Sequence, residues 1–368
     1  MPTNTAAWLM ATQTPLEVKS APYSPPRPNE VVVKNHAVAI NPIDWIIPLI
    51  GYFIFPWIKT PFVLGSDLAG EVVEVGKEVT RFQVGDRVIG HAVGVDKKRN
   101  SSAEGAFQTY TVVLAHMAAP IPSTMPYENA AVLPLGLSTA ACGLFQKDHL
   151  ALQYPSASPK STGQTLLVWG GSTSVGSNAI QLAVAAGYEV ITTASPRNFD
   201  YVRKLGASQV FDYNSKTVVK DVISALNGKT LAGALAIGQG SSEVCVDIVG
   251  ACKGRKFVSL ASSSVSIESF PLRRQLPLLI LRFVSSNVSL QVRCRAKSVK
   301  TKFIFGSTLM DNEVSKLIYE DFLPSALAEG RYAAVPEPSV VGAGLNSLQA
   351  ALDVQRKGVS ARKVVVSL

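Results

Sequence analysis

The sequence predicts an α/β protein in which a partly closed β-barrel domain is joined to a doubly wound parallel-sheet domain. Three observations predict it. Short apolar strands broken by glycine fill the first part of the chain, strand and helix patterns alternate from Gln164 onward, and a glycine-rich turn follows the first of those later strands. The 368 residues leave room for about two domains. With 47% hydrophobic and 17% charged residues the chain can bury large cores, which excludes a disordered protein.

The elements follow in order. Residues 31–40, 68–75, 87–90 and 107–113 are rich in Val, Ile and Leu and are separated by Gly76, Gly85-Asp86 and Gly105, the signature of short strands with turns. Residues 127–145 have a helical pattern leading out of that domain, and the Ser- and Pro-rich stretch 154–163 is a surface loop. Strands are expected at 166–169, 189–193, 209–211, 234–237 and 256–260, with helices at 199–205 and 218–226 between them. A last helix pattern (Leu348, Ala351, Leu352, Val354) and the strand 363–368 are placed to return to the first domain. The domains are therefore expected at 1–135 with 331–368, and at 136–330. No internal repeat is visible.

The most informative stretch is Leu166-Leu167-Val168-Trp169-Gly170-Gly171-Ser172-Thr173-Ser174-Val175-Gly176. A buried strand, a tight turn and a helix start together make an anion site, because backbone N–H groups and the helix dipole converge there and glycine lets a phosphate come close. The turn departs from G-x-G-x-x-G in having Thr173 at the middle glycine, where a hydroxyl and a backbone N–H can still donate. The next strand ends in Ser195-Pro196-Arg197-Asn198, about 20 residues on, where such folds read the adenosine ribose. An NAD site usually has Asp or Glu there. Here hydroxyls and a cation stand instead, with no acid before Asp200, which suits the 2′-phosphate of NADPH.

Composition narrows the function classes. A net charge of +9 favours anionic partners such as phosphorylated cofactors or acidic carrier proteins, and is too diffuse for nucleic acid. The densest basic run is Arg293, Arg295, Lys297, Lys300 and Lys302, either a solvated face or a dock for an acidic carrier. The N-terminal residues show no secretory pattern, and the apolar runs 46–58 and 276–284 are too short for a membrane span. Four cysteines (Cys142, Cys245, Cys252, Cys294) form no CxxC pair and are expected to be reduced thiols in a cytoplasmic protein.

Taken in order, Asn41-Pro42-Ile43-Asp44, Leu64-Gly65-Ser66-Asp67-Leu68-Ala69-Gly70-Glu71-Val72-Val73-Glu74-Val75-Gly76, Val84-Gly85-Asp86-Arg87-Val88 and the glycine turn resemble the medium-chain dehydrogenase/reductase superfamily over nearly the whole chain. Ser195 to Asp200, Gly206-Ala207, Val210-Phe211-Asp212-Tyr213 and Arg356-Lys357-Gly358 look like fungal trans-acting enoyl reductases and zinc-independent quinone-oxidoreductase-like proteins. The resemblance implies a GroES-like barrel plus a Rossmann domain, with the site in the cleft between them. Where zinc-using members have Cys, His and Cys, this chain has Asn41, Ser66 and Leu135, so no catalytic metal is expected.

The same resemblance implies the site. Ser172, Thr173, Ser174 and Val175 would hold the pyrophosphate; Ser195, Arg197 and Asn198 the 2′-phosphate. Tyr213 would flank the adenine or that phosphate. Leu260 and Ala261 would approach the nicotinamide, and Ser360 with Ala361 would make a C-terminal contact. Asp44 and Trp45 join the cofactor set. Among catalytic candidates, Tyr52 is either the proton donor or an aromatic wall, Asn41 either orients the nicotinamide end or caps a turn, and Thr139 lies near the carboxamide or is a buried helix hydroxyl. The apolar loop holding Trp45, Ile46, Ile47, Leu49, Phe53, Phe55 and Trp57, with residues 276–284, either lines a hydrophobic channel or forms core or a subunit interface.

Without a Lewis acid, an enone, enoyl thioester or quinone is a better hydride acceptor than a simple ketone, because charge spreads onto oxygen as an enolate. The expected activity is NADPH-dependent reduction of an activated C=C in a bulky apolar or carrier-bound substrate, in fungal secondary metabolism beside a polyketide synthase. Quinone reduction for detoxification and an NADPH-binding protein of low turnover are the alternatives. Monomer and homodimer are both compatible with the sequence.

Overall fold

The computed structural model describes residues 2–262 and 276–368. It divides into two compact units, residues 1–138 with 310–368, and residues 139–309. Residues 310–330, expected in the parallel-sheet domain, group instead with the first unit. Two bonds, one buried and one partly so, tie them there: the Tyr319 hydroxyl donates to the Pro134 carbonyl at 3.0 Å, and Arg81 donates to the Tyr319 carbonyl at 2.9 Å. No described helix is long and apolar enough to cross a membrane.

The first unit is built on the strand Glu30–Ala39, whose β-branched run is buried on both sides. It pairs antiparallel with Asp67–Val75, with Tyr110–Leu114 and with Arg362–Ser367, so the chain's last strand does return to this unit. Arg87–His91 and Ala118–Pro120 extend the sheet on one side, and Glu337–Ala343 closes the other in parallel to Arg362–Ser367. A second sheet joins Leu16–Ala21, Asn4–Leu9 and Phe62–Val63. Those three strands and Glu337–Ala343 escaped the sequence reading, because short strands with polar alternate faces lack a run of apolar residues.

A buried ion cluster stands where a turn meets this sheet. Arg99 donates to both carboxylate oxygens of Glu104, at 2.6 and 2.8 Å, and also to Glu30, and both acids are almost fully buried. Burial raises the Glu104 pKa against the lowering effect of Arg99. Arg99→Ala is therefore expected to cost about 3–5 kcal/mol, since two carboxylates lose their shared cation. Urea unfolding checks this; a midpoint close to that of the parent protein would show the cluster to be incidental.

The apolar segment expected as a loop is the helix Pro42–Ile54. Asn41 is its extended N-cap, Pro42 occupies the first turn where a missing N–H costs nothing, and Asp44 accepts the Asn41 backbone N–H at 2.8 Å. Trp45 and Ile47 face the core, while Tyr52, Phe53 and Ile54 are exposed.

The second unit is a six-stranded, all-parallel sheet. Its order is Gln209–Asp212, Glu189–Ala194, Gln164–Trp169, Thr230–Ala236, Phe257–Leu260 and Lys300–Phe303, which is 3-2-1-4-5-6 within the unit. This is the order of a dinucleotide-binding sheet, with the reversal beside the first strand. The strand Lys300–Phe303 was not expected, because its alternating lysines read as a solvated run. Leu278, Leu281, Phe283 and Val284, expected in a channel, core or interface, are exposed on the helix Leu276–Lys297. The side chains of Leu276 and Pro277 lie outside the described set.

Candidate functional site

At the carboxyl ends of the parallel strands the second unit gathers the residues picked out from sequence. Gly170 has φ +87° and leaves the first strand in the left-handed region. Its N–H donates to Thr193 Oγ1 at 3.0 Å, and the Gly171 N–H donates to the Thr193 carbonyl at 2.9 Å, which ties the turn to the end of the second strand. A Cβ on Gly176 would sit 2.2 Å from the Gly170 carbonyl oxygen, so helix and turn approach as only glycine allows. Ala261 donates its N–H to Ala236, and the Ser262 hydroxyl accepts the Gly238 N–H, so the fourth and fifth strand ends join the same edge. Tyr213 follows the last residue of the strand Gln209–Asp212 and is exposed.

The expected anion residues divide by what their side chains already do. Thr173 caps the helix Ser174–Ala185: its hydroxyl accepts the Gly176 N–H at 3.0 Å and donates to the Gly170 carbonyl at 2.8 Å. Its polar capacity thus closes the helix start. The Ser174 hydroxyl, by contrast, is buried with no hydrogen-bond partner, and Ser172 and Val175 flank it on the turn and first helical residues. An orphaned donor beside unsatisfied helix N–H groups fits a pyrophosphate. Asn198 is buried and donates to the Ser195 hydroxyl at 3.2 Å, shaping the loop. Arg197 is exposed, and its guanidinium bonds to no described residue. Thr139 is buried in the helix Pro134–Phe145, one turn before Gly143, which packs against Leu235 and Ser259 of the sheet.

In the first unit, Asn41, Asp44 and Trp45 come together with the C-terminal segment. The Asn41 side-chain amide donates to Asp67 Oδ2 at 2.9 Å, and its carbonyl accepts from Lys363 Nζ. The same ammonium lies 2.9 Å from Asp67 Oδ2, and both side chains are buried. Asp67 Oδ1 accepts the Leu135 N–H at 2.6 Å, so one carboxylate fixes the Asn41 amide, the ammonium and a helix start. Asp44 is fully buried; burial lifts its pKa from 3.8 to about 7, against the hydrogen bond from Asn41. Trp45 Nε1 donates to Gln355 Oε1, and Arg356 lies over the indole. Ser360 and Ala361, the latter at φ +49°, lead into the strand that carries Lys363. Tyr52 stands apart from this cluster, 42% exposed near the end of its helix.

The donors at this position do not fit a zinc ion. An ammonium occupies the Asn41 carbonyl and the Asp67 carboxylate, and among the described residues no three His, Cys, Asp or Glu side chains converge. Burial pushes the Cys142 thiol up to about 12 and raises the other three, which disfavours the thiolate form.

Beside the cluster runs a chain of polar groups. His91 Nδ1 is 2.9 Å from Ser138 Oγ, which is 2.8 Å from the Tyr319 hydroxyl in a π-helical turn, Leu317–Phe322. Because Tyr319 donates to Pro134, Ser138 donates to Tyr319 and His91 is left as the Nδ1–H donor. Burial lowers the His91 pKa to about 4, against Asp67 and Asp96. The other three histidines are lowered by burial too. A folded pKa below the unfolded value of 6.5 gives stability that is present above pH 6.5 and lost as pH falls toward 4. His91→Asn keeps the donor and removes that titration. The fall in melting temperature from pH 6.5 to 4.5 should be shallower in this variant, and an unchanged fall would assign the acid sensitivity elsewhere.

Lys363, Asp67, His91, Ser138 and Tyr319 were not candidates from sequence. Lys363 reads as one more strand-edge cation beside Arg362. Nothing local marks its burial, because its partners lie some 300 residues away in the chain.

Residues 27–123 match the family described as alcohol dehydrogenase GroES-like domain, and residues 174–256 match zinc-binding dehydrogenase. The chain is 56% identical over 370 residues to dehydrogenase pigH of Monascus ruber, covering 100% of both chains. It is 38% identical to trans-enoyl reductase himH of Aspergillus japonicus, covering 99% of this chain and 97% of that one. An alcohol dehydrogenase superfamily protein from Novosphingobium aromaticivorans has the same fold, with a TM-score of 0.73 and 25% identity over 100% of both chains. That superfamily uses nicotinamide cofactors. Strand order, glycine turn and full-length relatives agree: the chain belongs to the medium-chain dehydrogenase/reductase superfamily and is one of its oxidoreductases.

Proposed function

We propose that the protein is an NADPH-dependent, zinc-independent reductase of an activated carbon–carbon double bond, an enoyl thioester or enone on a bulky apolar substrate. It acts in the cytoplasm beside a polyketide synthase in fungal secondary metabolism, a setting that four buried, unpaired cysteines suit. The observation that carries the reading is the Lys363–Asp67–Asn41 network. A protein that keeps the hydride-transfer fold, but fills the metal position with an ammonium, needs an acceptor with its own electron sink. A conjugated carbonyl is such an acceptor.

Bound NADPH supplies the hydride. The chain's own residues do the rest. The helix start at Ser174 and Val175, with Ser172 and the Ser174 hydroxyl, binds the pyrophosphate. Arg197 and Ser195 bind the 2′-phosphate, Tyr213 flanks the adenine, and Leu260 and Ala261 approach the nicotinamide. Thr139 lies by the carboxamide. Asn41, locked by Asp67 and Lys363, orients the nicotinamide end with Asp44, Trp45, Ser360 and Ala361 around it. The Tyr52 hydroxyl is the group assigned to deliver the proton to the α carbon.

NADPH oxidation measured with a long-chain enoyl thioester and with a small quinone tests the reading. Thioester turnover that Tyr52→Phe lowers by about a hundredfold or more is expected, the usual cost of a lost general acid. Turnover of the quinone alone would replace this reading with detoxification, and NADPH binding with no turnover would make the chain a binding protein.

A further inference from the structure

Among the described residues, the helix Leu276–Lys297 holds one face on its unit and leaves the other exposed. Leu279, Leu290 and Cys294 are buried, the last two against Cys245, Val246 and Val249 of the helix Ser241–Ala251. On the outer face Leu278, Leu281, Val284, Val288 and Val292 recur at intervals of three or four residues. They are 42, 63, 51, 57 and 60% exposed. At 1.5 Å per residue this stripe is about 21 Å long, an exposed ridge of the kind that marks a binding surface.

Charge tells what would cover it. From Leu276 to Phe303 the sequence has six cations (Arg282, Arg293, Arg295, Lys297, Lys300, Lys302) and no acid. Arg293 and Lys302 are ion-paired with Asp247 and Asp148, and the Lys297 stem lies against Gly250 on the inner face, whereas Arg295 continues the spacing of the stripe and is exposed, as is Lys300 at the start of the next strand. A second copy docking with its helix parallel would set these cations against themselves. A membrane-surface helix carries its cations along its flanks; here they gather at one end, and Ser285, Asn287, Ser289 and Gln291 interrupt the apolar ridge.

We propose that this face docks an acidic protein partner, one presenting an apolar helical ridge edged with Asp and Glu. Resting on the function proposed above, the partner is the part of the synthase that delivers the thioester. The stripe provides the apolar contact, and Arg295 and Lys300 steer and orient the acidic edge.

The probe is a fluorescein-labelled helical peptide with a Leu stripe edged by Glu, read by fluorescence anisotropy against the full chain. Its comparison is the same peptide with Lys for every Glu. Saturable binding of the acidic peptide alone is expected, weakened at least about tenfold at high salt, as screening of exposed charges requires. Val288→Glu with Val292→Glu, and separately Arg295→Glu with Lys300→Glu, should each weaken it by about tenfold or more. Reduction of a free enoyl thioester should stay unchanged in both variants. Four results would overturn the proposal: no saturable binding, equal binding of both peptides, a dimer abolished by the valine variant, or binding to phosphatidylserine vesicles in place of the acidic peptide. The free-thioester assay reads the proposed function separately, because it needs no docking.

Discussion

Lys363→Met is expected to destabilise the protein by about 3–5 kcal/mol, the cost of leaving one member of a buried ion pair without its partner. The ammonium is the one cation whose contacts include both Asp67 Oδ2 and the Asn41 carbonyl. Asp44, already held at about 7 by burial, adds a second carboxyl to the same cluster, with the Asp67 charge a further cause of its rise. The sign of the pH dependence follows. Carboxyls whose folded pKa is raised give stability below their unfolded pKa and lose it as pH rises through the folded value. The variant should thus be closest to the parent near pH 5 and weakest near pH 8, in denaturant unfolding at both. Adding Asp67→Asn removes the orphaned charge while keeping an acceptor for the Leu135 N–H, and should restore part of the loss. A double variant as unstable as the single one would mean that Lys363 contributes by packing its alkyl chain alone. Freed from its lock, Asn41 should also orient the nicotinamide end less well, so kcat should fall even where the fold survives.

Arg197→Ala has the largest expected effect on specificity. The guanidinium bonds to nothing among the described residues, so removing it disturbs no packing. A charge-assisted bond to the 2′-phosphate is worth about 1.5–3 kcal/mol, which corresponds to a fall of about tenfold to a hundredfold in kcat/KM for NADPH. NADH lacks that phosphate, and its kcat/KM should change less than about twofold. Equal losses with both cofactors would remove Arg197 from the ribose end.

Much of the architecture was legible because it follows from local pattern. The β-branched run of Glu30–Ala39, the apolar strand before Gly170 and the alternation after it each carry their own signal. Pro42 illustrates the limit. Proline and aromatic residues in 42–57 read as loop, whereas an N-cap and a proline at the first turn start a helix there. The glycine turn itself was legible, but not what its side chains do, since only the fold shows Thr173 capping the helix and Ser174 left with an unpartnered hydroxyl. Asn41, Ser66 and Leu135 could be read as residues that are not Cys or His. The partner of Asn41 could not, because Lys363 reaches it through sheet pairing between strands far apart in sequence. The grouping of residues 310–330 was hidden for the same reason: Tyr319 is an ordinary aromatic until its hydroxyl meets Pro134.

The central claim is hydride transfer to a conjugated double bond without a metal. It is tested most directly by incubating metal-stripped protein, its zinc content measured, with deuterium-labelled NADPH and a long-chain enoyl thioester, and locating the label by mass spectrometry. The account predicts one deuterium on the β carbon, at a rate unchanged by chelator. Label on a carbonyl-derived carbinol carbon, or transfer that returns only when zinc is added, would contradict it.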